Sequence, residues 1–313
     1  MNIEARPFLK WAGGKGQLLS QLSGYLPKQL TEESFTYIEP FVGGGAMLFY
    51  MLQHFCNIKK AIINDVNEDL VITYQVVKDD IESLIHHLDK MEKNYLSIIS
   101  QEQRSQMYYE IREQYNHHIG DCIERAAQLI FLNKTCFNGL YRVNRRGLFN
   151  VPFGRYAHPT ICNADVLYAD SRLLQSVDVK ICHGNFTQTL QHAEGLTFFY
   201  LDPPYRPLDA TSSFTSYTKG DFNDTDQKDL ARFCHDLSAK GYLWMENNAD
   251  CSSKHPEDTF FEQLYKGYRI DRVSASRSIN ANPQKRGKLT ELLIRNYESL
   301  IPQHFDLTLF ISS

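Results

Sequence analysis

The sequence predicts an α/β protein whose parallel sheet is interrupted by an inserted helical module. Residues 36–39 and 60–65 have the composition of short buried strands, and each is followed by a turn and a helical pattern. This alternation is the βαβ rhythm of a parallel sheet. Further apolar runs continue the rhythm in the second half of the chain, after a long stretch in which only helical spacing is found.

The later strands are predicted from apolar runs bounded by polar or glycine-containing turns. They occupy residues 177–182, 196–201, 242–245, 269–273 and 289–295. A helix is expected after the first strand, over residues 47–55. A second helix is expected over residues 225–240, where Asp224 or Thr225 can cap its start.

The insertion is predicted from residues 75–133, where apolar side chains recur at helical spacing and no strand pattern is found. We therefore expect a helical module over residues 75–160. The sheet domain is then built from residues 1–74 and 161–313 on either side of it.

Composition limits the classes of protein to which the chain can belong. The 313 residues are 42% hydrophobic, which is enough for a real core. No apolar stretch approaches the length of a membrane span, and the amino terminus lacks a signal-peptide pattern, so we expect a cytoplasmic protein. The seven cysteines are scattered without a Cys-x-x-Cys pair. We expect them to be reduced and mostly buried, with neither a disulfide framework nor a metal site.

Local charge indicates contact with a polyanion although the net charge is −4. Residues 126–164 contain no Asp or Glu, but they include Lys134 and four arginines. A second basic run, residues 269–288, carries six cations and only Asp271. Because the distribution of charge matters more than its total, we expect a nucleic-acid contact at defined places. A solvated loop is the alternative for either run alone.

The most informative run is DPPY at residues 202–205, which directly follows a predicted strand. Ligands bind at the carboxyl ends of strands in open α/β sheets. The Asp202 carboxylate and the Pro203 carbonyl can accept hydrogen bonds from an amino group on a flat ring. Pro204 fixes the backbone, and Tyr205 can stack on the ring. The run therefore favours chemistry on an amino-bearing ring such as a purine, with an ordinary turn as the alternative.

A glycine-rich turn, EPFVGGGA at residues 39–46, lies between the first predicted strand and a helix. The next strand ends in Asp65, at the position where an acid can bind a ribose diol. No phosphate-binding lysine motif follows the turn, so the pattern fits S-adenosylmethionine better than ATP. The run FLKWAGGK at residues 8–15 adds lysines that can pair with a ligand carboxylate. Trp11 in this run can line the pocket or, alternatively, pack in the hydrophobic core.

Five motifs occur in one order, namely FLKWAGGK, EPFVGGG, an acid at the second strand end, FNGLYRVNRRGLFNVPFGRY and DPPY. This set resembles the Dam-type DNA adenine methyltransferases (D12 class, α group), from residue 8 to about residue 297. The resemblance includes SSFTSY at residues 212–217 and RGKLTELL at residues 286–293. It implies a Rossmann-like S-adenosylmethionine-dependent methyltransferase fold with an inserted, mostly helical DNA target-recognition domain.

The resemblance also implies the reaction and the residues that carry it out. The methyl group passes from S-adenosylmethionine to the exocyclic amino group of an adenine that has been flipped out of duplex DNA, since a stacked base is out of reach. The implied catalytic residues are Asp202, Pro203, Pro204 and Tyr205. The implied cofactor-binding residues are Trp11, Lys15, Glu39, Phe41, Gly43, Asp65, Asn185, Phe186 and Asp202.

Recognition of GATC is implied by Arg142 and Lys10, whose donors suit the major-groove acceptors of guanine. Phe137 lies where relatives insert an aromatic ring into the base stack, and Leu140 and Pro152 lie where thymine methyl groups are contacted. Phosphate contacts, which position the duplex without reading it, are expected from Arg145, Arg146 and Arg155. The remaining implied DNA-binding residue is Asn138. Duplex DNA is the implied partner, together with a cognate restriction endonuclease if the enzyme belongs to a restriction-modification system.

The chain departs from the family pattern in two places. Asn185 stands where relatives have an aspartate in Gly-Asp-Phe, and the amide keeps an acceptor while adding donors. Asn247 and Asn248 lie in a run that is usually Ser-Asn-Ser-Asp. Two alternatives stay open, which are amino methylation of cytosine and a DNA-binding regulator of this fold without catalysis. The intact DPPY argues against the regulator, because a pure binder needs no pocket for a flipped base.

Overall fold

The structure is a computed structural model, and it describes residues 3–11, 13–207, 222–275 and 289–299. Within these residues seven strands form one sheet in the order β3-β2-β1-β4-β5-β7-β6. The strands are β1 (Phe35–Glu39), β2 (Ile58–Asp65), β3 (Asp178–His183), β4 (Thr197–Leu201), β5 (Leu243–Ala249), β6 (Arg269–Ala275) and β7 (Leu289–Arg295). Each predicted strand is confirmed to within a few residues.

The sheet is parallel from β3 to β5, as the βαβ rhythm predicts. The extension of that rhythm to every later strand is wrong for β7, which pairs antiparallel with both β5 and β6. Strands β6 and β7 follow each other along the chain and pair directly. An antiparallel pair allows this, whereas parallel neighbours require a crossover.

The α-helices lie between the strands and in the predicted insertion. They are α1 (Leu19–Leu22), α2 (Gln29–Glu32), α3 (Ala46–His54), α4 (Glu68–Asp79), α5 (Ile81–Ser97), α6 (Gln101–Asn116), α7 (Cys122–Thr135), α8 (Ala164–Gln175), α9 (Asp224–Ala239) and α10 (Phe260–Leu264). Helix α9 is capped by Asn223, whereas the sequence predicts Asp224 or Thr225 as the cap. The Asn223 side chain accepts from the Thr225 amide at 2.7 Å, and the Asp226 side chain accepts from the Asn223 amide, which completes a capping box.

The core has two layers because alternate strand residues point to opposite faces of the sheet. On β4, Tyr200 belongs to the larger hydrophobic cluster, which includes side chains of α3 to α8. Phe199 and Leu201 belong to the smaller cluster, which includes side chains of α9 and α10. The sheet is therefore covered on both faces, as a largely parallel sheet requires.

Helices α4 to α7 confirm the helical pattern predicted over residues 75–133, and residues 98–100 and 117–121 connect α5, α6 and α7. Helix α7 packs against α4, α5 and α6, and its buried face belongs to the same cluster as the sheet. The helices thus share one continuous core with the layer that covers the sheet. The division at residues 75 and 160 stays a prediction.

The structure tests the prediction that the cysteines are reduced and mostly buried. All seven cysteines are free thiols, but only Cys136, Cys234 and Cys251 are buried, so the expectation that most are buried is wrong. Cys162 and Cys182 are partly exposed, and the other two are exposed.

In the described part of the chain, no helix combines the length and the apolar character needed to cross a bilayer.

Substitution of Gly45 by alanine should destabilise the fold by about 1–3 kcal/mol. Gly45 precedes α3 with a φ of +74°, and an added Cβ would overlap the Tyr74 hydroxyl. The free energy of unfolding is measured by urea titration. Gly16→Ala is the control, because nothing lies within 4 Å of a Cβ there. Equal stability of the two variants would contradict the assignment of strain to this turn.

Candidate active site

The carboxyl ends of β1, β2 and β3 are tied together by Asn64, the penultimate residue of β2. Its buried side-chain amide donates to the carbonyls of Pro40 and Gly184, both at 3.0 Å. Its main-chain carbonyl accepts from Val42 at 2.9 Å. The loops after three neighbouring strands are therefore fixed by one residue at the edge of the sheet where ligands bind.

Asp65, the last residue of β2, holds the glycine-rich turn. Its carboxylate accepts from the Gly43 amide at 3.1 Å and from the Asn67 amide at 2.9 Å. Burial raises the pKa of this carboxyl, while these amides and that of Val66 act in the opposite direction. Gly43 has a φ of +47°, a backbone conformation that favours glycine. Asp65 and Gly43 are thus brought together as the sequence predicts.

Trp11 lies against this turn rather than deep in the core. A Cβ at Gly43 would lie 2.9 Å from Cδ1 of Trp11, and one at Gly44 would lie 3.1 Å from its Cβ. The indole stacks on Tyr141, with ring centroids 4.7 Å apart and planes at 24°. Trp11 is therefore a wall between the glycine-rich turn and the basic segment, residues 126–164. Tyr141 was not among the predicted site residues.

Phe41 and Phe186 form the aromatic part of the predicted cofactor site, with ring centroids 5.2 Å apart. Asn185 accepts through Oδ1 from the amide and the hydroxyl of Thr187, and so caps a short 3-10 helix. Glu39 is buried and accepts from the Tyr37 hydroxyl at 2.7 Å. Burial raises the pKa of Glu39 well above its ordinary value.

Asp202, at the end of β4, is paired with Lys15. The Lys15 ammonium lies 2.8 Å from Oδ1 of Asp202 and donates to the carbonyl of Gly13 at 2.7 Å. Lys15 is only 3% exposed, and the Asp202 side chain is 19% exposed. Burial raises the pKa of Asp202 to about 6, and the Lys15 ammonium acts against that rise. The carboxylate is therefore mostly ionised at neutral pH.

Tyr205 is fixed at both its ring and its hydroxyl. The ammonium of Lys15 lies 4.6 Å from the ring centroid, within the range of a cation–π contact. The hydroxyl donates to Oε2 of Glu291 on β7 at 2.7 Å. One face of the ring is thus covered by a cation, and the ring as a whole is partly buried against the smaller hydrophobic cluster.

The loop that contains Pro203 and Pro204 is anchored on both sides. Pro203 is buried, and the carbonyl of Pro204 accepts from Gln227 on α9 at 3.1 Å. Arg206, the next residue after DPPY, forms ion pairs with Asp224 at 2.8 Å and Asp258 at 2.5 Å. These contacts hold the backbone of the run in one path.

The basic segment turns back on itself after α7. Isolated bridges join Cys136 to Phe153 and Val143 to Phe149. In the turn that connects Val143 to Phe149, the Asn144 side chain accepts hydrogen bonds from the amides of Arg146 and Leu148. The tip of this hairpin exposes its cations to solvent. Among the predicted DNA-binding residues, the exposed ones are Lys10, Phe137, Asn138, Leu140, Arg145, Arg146, Pro152 and Arg155.

Arg142 and Lys10 are held by two asparagines. The Arg142 guanidinium donates to Oδ1 of Asn150 at 2.8 Å. The buried side chain of Asn133 accepts from the Lys10 amide and donates to the Lys10 carbonyl, both at 2.8 Å, and it donates to the Gly139 carbonyl at 3.1 Å. A Cβ at Gly139 would lie 2.5 Å from Cδ of Lys10. The two predicted guanine contacts therefore belong to segments that are clamped together.

Helices α5 and α6 hold the other side of the basic segment. Tyr108 donates to the Val151 carbonyl at 2.7 Å, and Asn116 exchanges two hydrogen bonds with the main chain of Phe149. Tyr95 donates to the Tyr156 carbonyl at 2.8 Å. The helices thus support the exposed loop that carries the predicted DNA contacts.

The second basic run is not a free cationic surface where it is described. Arg269 pairs with Glu298, and Arg272 pairs with both Asp250 and Glu262. Opposite charges therefore balance these two arginines. The rest of that run, from residue 276 to 288, and the SSFTSY segment lie outside the described residues.

Sequence reasoning missed several residues that shape the site. The charge of Glu291 within the mostly apolar β7 was the available signal. Asn133, Tyr141 and Asn64 carried no such signal, because their partners are distant in sequence. A cavity of about 280 Å³ beside the edge strand β3 involves none of the predicted site residues.

Comparisons with known proteins match the chain over most of its length. A family model for D12 class N6 adenine-specific DNA methyltransferases matches residues 11–279. The chain is 49% identical over 299 residues to the Type II methyltransferase M.MjaIII of Methanocaldococcus jannaschii, covering 94% of this chain and 100% of the relative.

Two other relatives also match this chain over nearly their whole length. The Type II methyltransferase M1.LlaDCHI of Lactococcus lactis subsp. cremoris is 36% identical, with 94% of this chain and 96% of the relative covered. A DNA adenine methylase of Vibrio cholerae is 31% identical, with 92% and 95% covered. The similarity therefore extends over nearly the whole chain.

Substitution of Lys15 by methionine should raise the pKa of Asp202 above about 6, by about 1–3 pH units. The ammonium favours the ionised carboxylate, so its removal favours the protonated form. The titration is followed by carbon NMR of aspartate-labelled protein. Lys28→Met, which removes a surface ion pair with Glu32, is the control. An unchanged titration midpoint of Asp202 in the Lys15→Met variant would show that Lys15 does not control the charge of Asp202.

Proposed function

Because the chain belongs to the D12 class N6 adenine-specific DNA methyltransferases, we propose that it methylates a flipped adenine within GATC, using S-adenosylmethionine as the methyl donor. The family membership establishes an adenine-specific DNA methyltransferase. The methyl donor, the target sequence, the flipping of the base and the roles of individual residues are the content of the proposal.

The observation that carries the proposal is the set of contacts made by the amino-terminal loop, residues 8–11 and 13–15. Its Lys10 is clamped to the exposed loop of the basic segment through Asn133. Its Trp11 packs on the glycine-rich turn, and its Lys15 pairs with Asp202. One short loop therefore joins the three parts that the reaction needs, which are a DNA-facing surface, a cofactor turn and a catalytic strand end.

The residues at the ends of β1 to β3 suit an adenosine-containing cofactor. Asp65 offers carboxylate oxygens to a ribose diol, and Phe41 and Phe186 form an aromatic pair beside Asn185. The donor set thus combines an acid, aromatic faces and an amide, which fits S-adenosylmethionine. When bound, this cofactor supplies an electrophilic methyl group.

Asp202 and the Pro203 carbonyl are proposed to accept hydrogen bonds from the exocyclic amino group of the adenine. That group is a poor nucleophile because its lone pair is delocalised into the ring, and two acceptors draw the nitrogen towards tetrahedral geometry. Tyr205 stacks on the base with the face opposite Lys15. Asp202 need not be a strong base, since the proton leaves after the methyl transfer.

DNA recognition is assigned to the helical module over residues 75–160 and to Lys10. Flipping the adenine costs about a few kcal/mol. Phe137, which is 51% exposed, is proposed to fill the gap in the stack. Arg142 and Lys10 read guanine in the major groove, while Leu140, 40% exposed, meets a thymine methyl group. A cognate endonuclease is a further proposed partner, because two relatives are named Type II methyltransferases.

The function is tested with labelled S-adenosylmethionine and duplexes that differ only in GATC against a scrambled order of the same bases. We expect label in the GATC duplex alone, carried by methyladenosine after digestion to nucleosides. Equal labelling of both duplexes would disprove the sequence specificity, and label on cytidine would favour the alternative chemistry. Asp202→Ala serves as the inactive control.

Arg146 and Arg142 of the basic segment should have different effects on DNA binding when each is replaced by alanine. Arg146→Ala should weaken binding to every duplex alike and reduce the salt slope by about 1. Arg142→Ala should instead reduce the preference for GATC, by about 1–3 kcal/mol. Binding is measured across a series of salt concentrations with both duplexes. A changed sequence preference in Arg146→Ala would contradict the division into positioning and reading residues.

A further inference from the structure

Glu291 is an acidic residue within a mostly apolar strand. It lies on β7, opposite Ala249 of β5 and Val273 of β6, and its following neighbours Leu292 and Leu293 are buried in the core. The side chain is 20% exposed. Because a partly buried carboxylate is costly unless it is paired, its partners are informative about its role.

Both partners of Glu291 belong to the proposed catalytic site. Its Oε2 accepts from the Tyr205 hydroxyl at 2.7 Å and lies 3.9 Å from the Lys15 ammonium. Lys15 in turn lies 2.8 Å from Oδ1 of Asp202 and 4.6 Å from the centre of the Tyr205 ring. Lys15, Asp202, Tyr205 and Glu291 therefore form one cluster of contacting side chains. Of these four, Glu291 alone lies outside the FLKWAGGK and DPPY runs.

The hydrogen bond fixes the position of the Tyr205 ring. A tyrosine ring can shift about its side-chain bonds, whereas a hydroxyl held by a carboxylate anchors the far end of the ring. Lys15 covers one face of the ring, so the anchor also determines where the opposite face lies. A base that stacks on that face is positioned relative to the Asp202 carboxylate.

The charge of Glu291 acts on Lys15 and Asp202 together. The Lys15 ammonium lies 2.8 Å from Oδ1 of Asp202 and 3.9 Å from Oε2 of Glu291, so both carboxylates stabilise its charge and Asp202 is the nearer partner. The titratable groups that act on Asp202 or respond to its charge are Lys15, Glu291, Glu39, Glu246, Tyr37, Tyr200 and Tyr205. Glu291 is the acid among them that touches both Lys15 and Tyr205.

We infer that Glu291 is a positioning residue for methyl transfer, holding the Tyr205 ring and the Lys15 ammonium in the places from which they act on the adenine and on Asp202. Glu291 itself does not touch the base. The inference rests on the proposed function, because it presumes that Asp202 and Tyr205 bind the adenine.

The test is the single-turnover rate of methylation of a GATC duplex by the full chain, at saturating S-adenosylmethionine and DNA. Glu291→Ala should lower this rate about 10- to 100-fold, the range expected for loss of a hydrogen bond to a charged group. Tyr205→Phe removes the same bond from the other side. Adding Glu291→Ala to Tyr205→Phe should therefore have a much smaller effect than Glu291→Ala alone.

Glu291→Gln separates the charge from the hydrogen bond. Glutamine still offers an acceptor to Tyr205, so most of the rate should remain. The charge of Glu291 raises the pKa of Asp202, so its removal lowers that pKa, and the acid limb of the rate profile should move to lower pH. A purely structural role would leave the limb in place. The control is Glu298→Gln, a 77% exposed glutamate paired with Arg269, which should change neither rate nor profile.

Three outcomes overturn the inference. They are a wild-type rate in Glu291→Ala, full additivity with Tyr205→Phe, and an unshifted acid limb in Glu291→Gln. If Glu291→Ala unfolds, Glu291→Gln alone decides through the acid limb. Failure of the proposed function is distinguishable, because wild-type protein would then label neither duplex or both alike, whereas here the wild type labels GATC and only the variants disagree.

Discussion

The rest of the site depends on the charge balance around one buried ammonium group, that of Lys15. Burying such a group is costly unless acceptors surround it, and here two of the three acceptors come from distant parts of the chain. The Gly13 carbonyl belongs to the same loop, Asp202 to the end of β4 and Glu291 to β7. Satisfying a single cation therefore fixes the amino-terminal loop against two strands, and Tyr205 is fixed with them.

Two buried asparagines extend this order to the proposed cofactor edge of the sheet and to the proposed DNA-facing surface. Asn64 donates to main-chain carbonyls after β1 and β3, and Asn133 donates to those of Lys10 and Gly139. Because these bonds go to the main chain, they fix the backbone path whatever side chains their partners carry. Such preorganisation limits the rearrangement that binding requires. The side chains proposed to contact DNA, such as Arg145 and Arg146, are exposed on this fixed backbone.

The sequence predicts most of the fold because strand periodicity and helical spacing are local properties. It predicts Asp65 beside Gly43 for a related reason, since adjacent parallel strands bring their ends together. The reversed direction of β7 could not be predicted, because an apolar run does not encode its direction. Nor could the pairing of Lys15 with Asp202, or of Tyr205 with Glu291, because a charged residue has many possible partners until the chain is folded. Asn223 as a cap was missed because its neighbours also have capping side chains.

The place of β7 in the sheet has a consequence for the order of assembly during synthesis. Strand β6 precedes β7 along the chain, yet β7 lies between β5 and β6. Within the described sheet, β6 has no neighbour until β7 has left the ribosome and inserted beside β5. Glu291 arrives with that same strand, whereas Lys15 and Asp202 emerge much earlier. A nascent chain can therefore form the proposed cofactor edge first, while Tyr205 gains its anchor only when the final described strand completes the sheet.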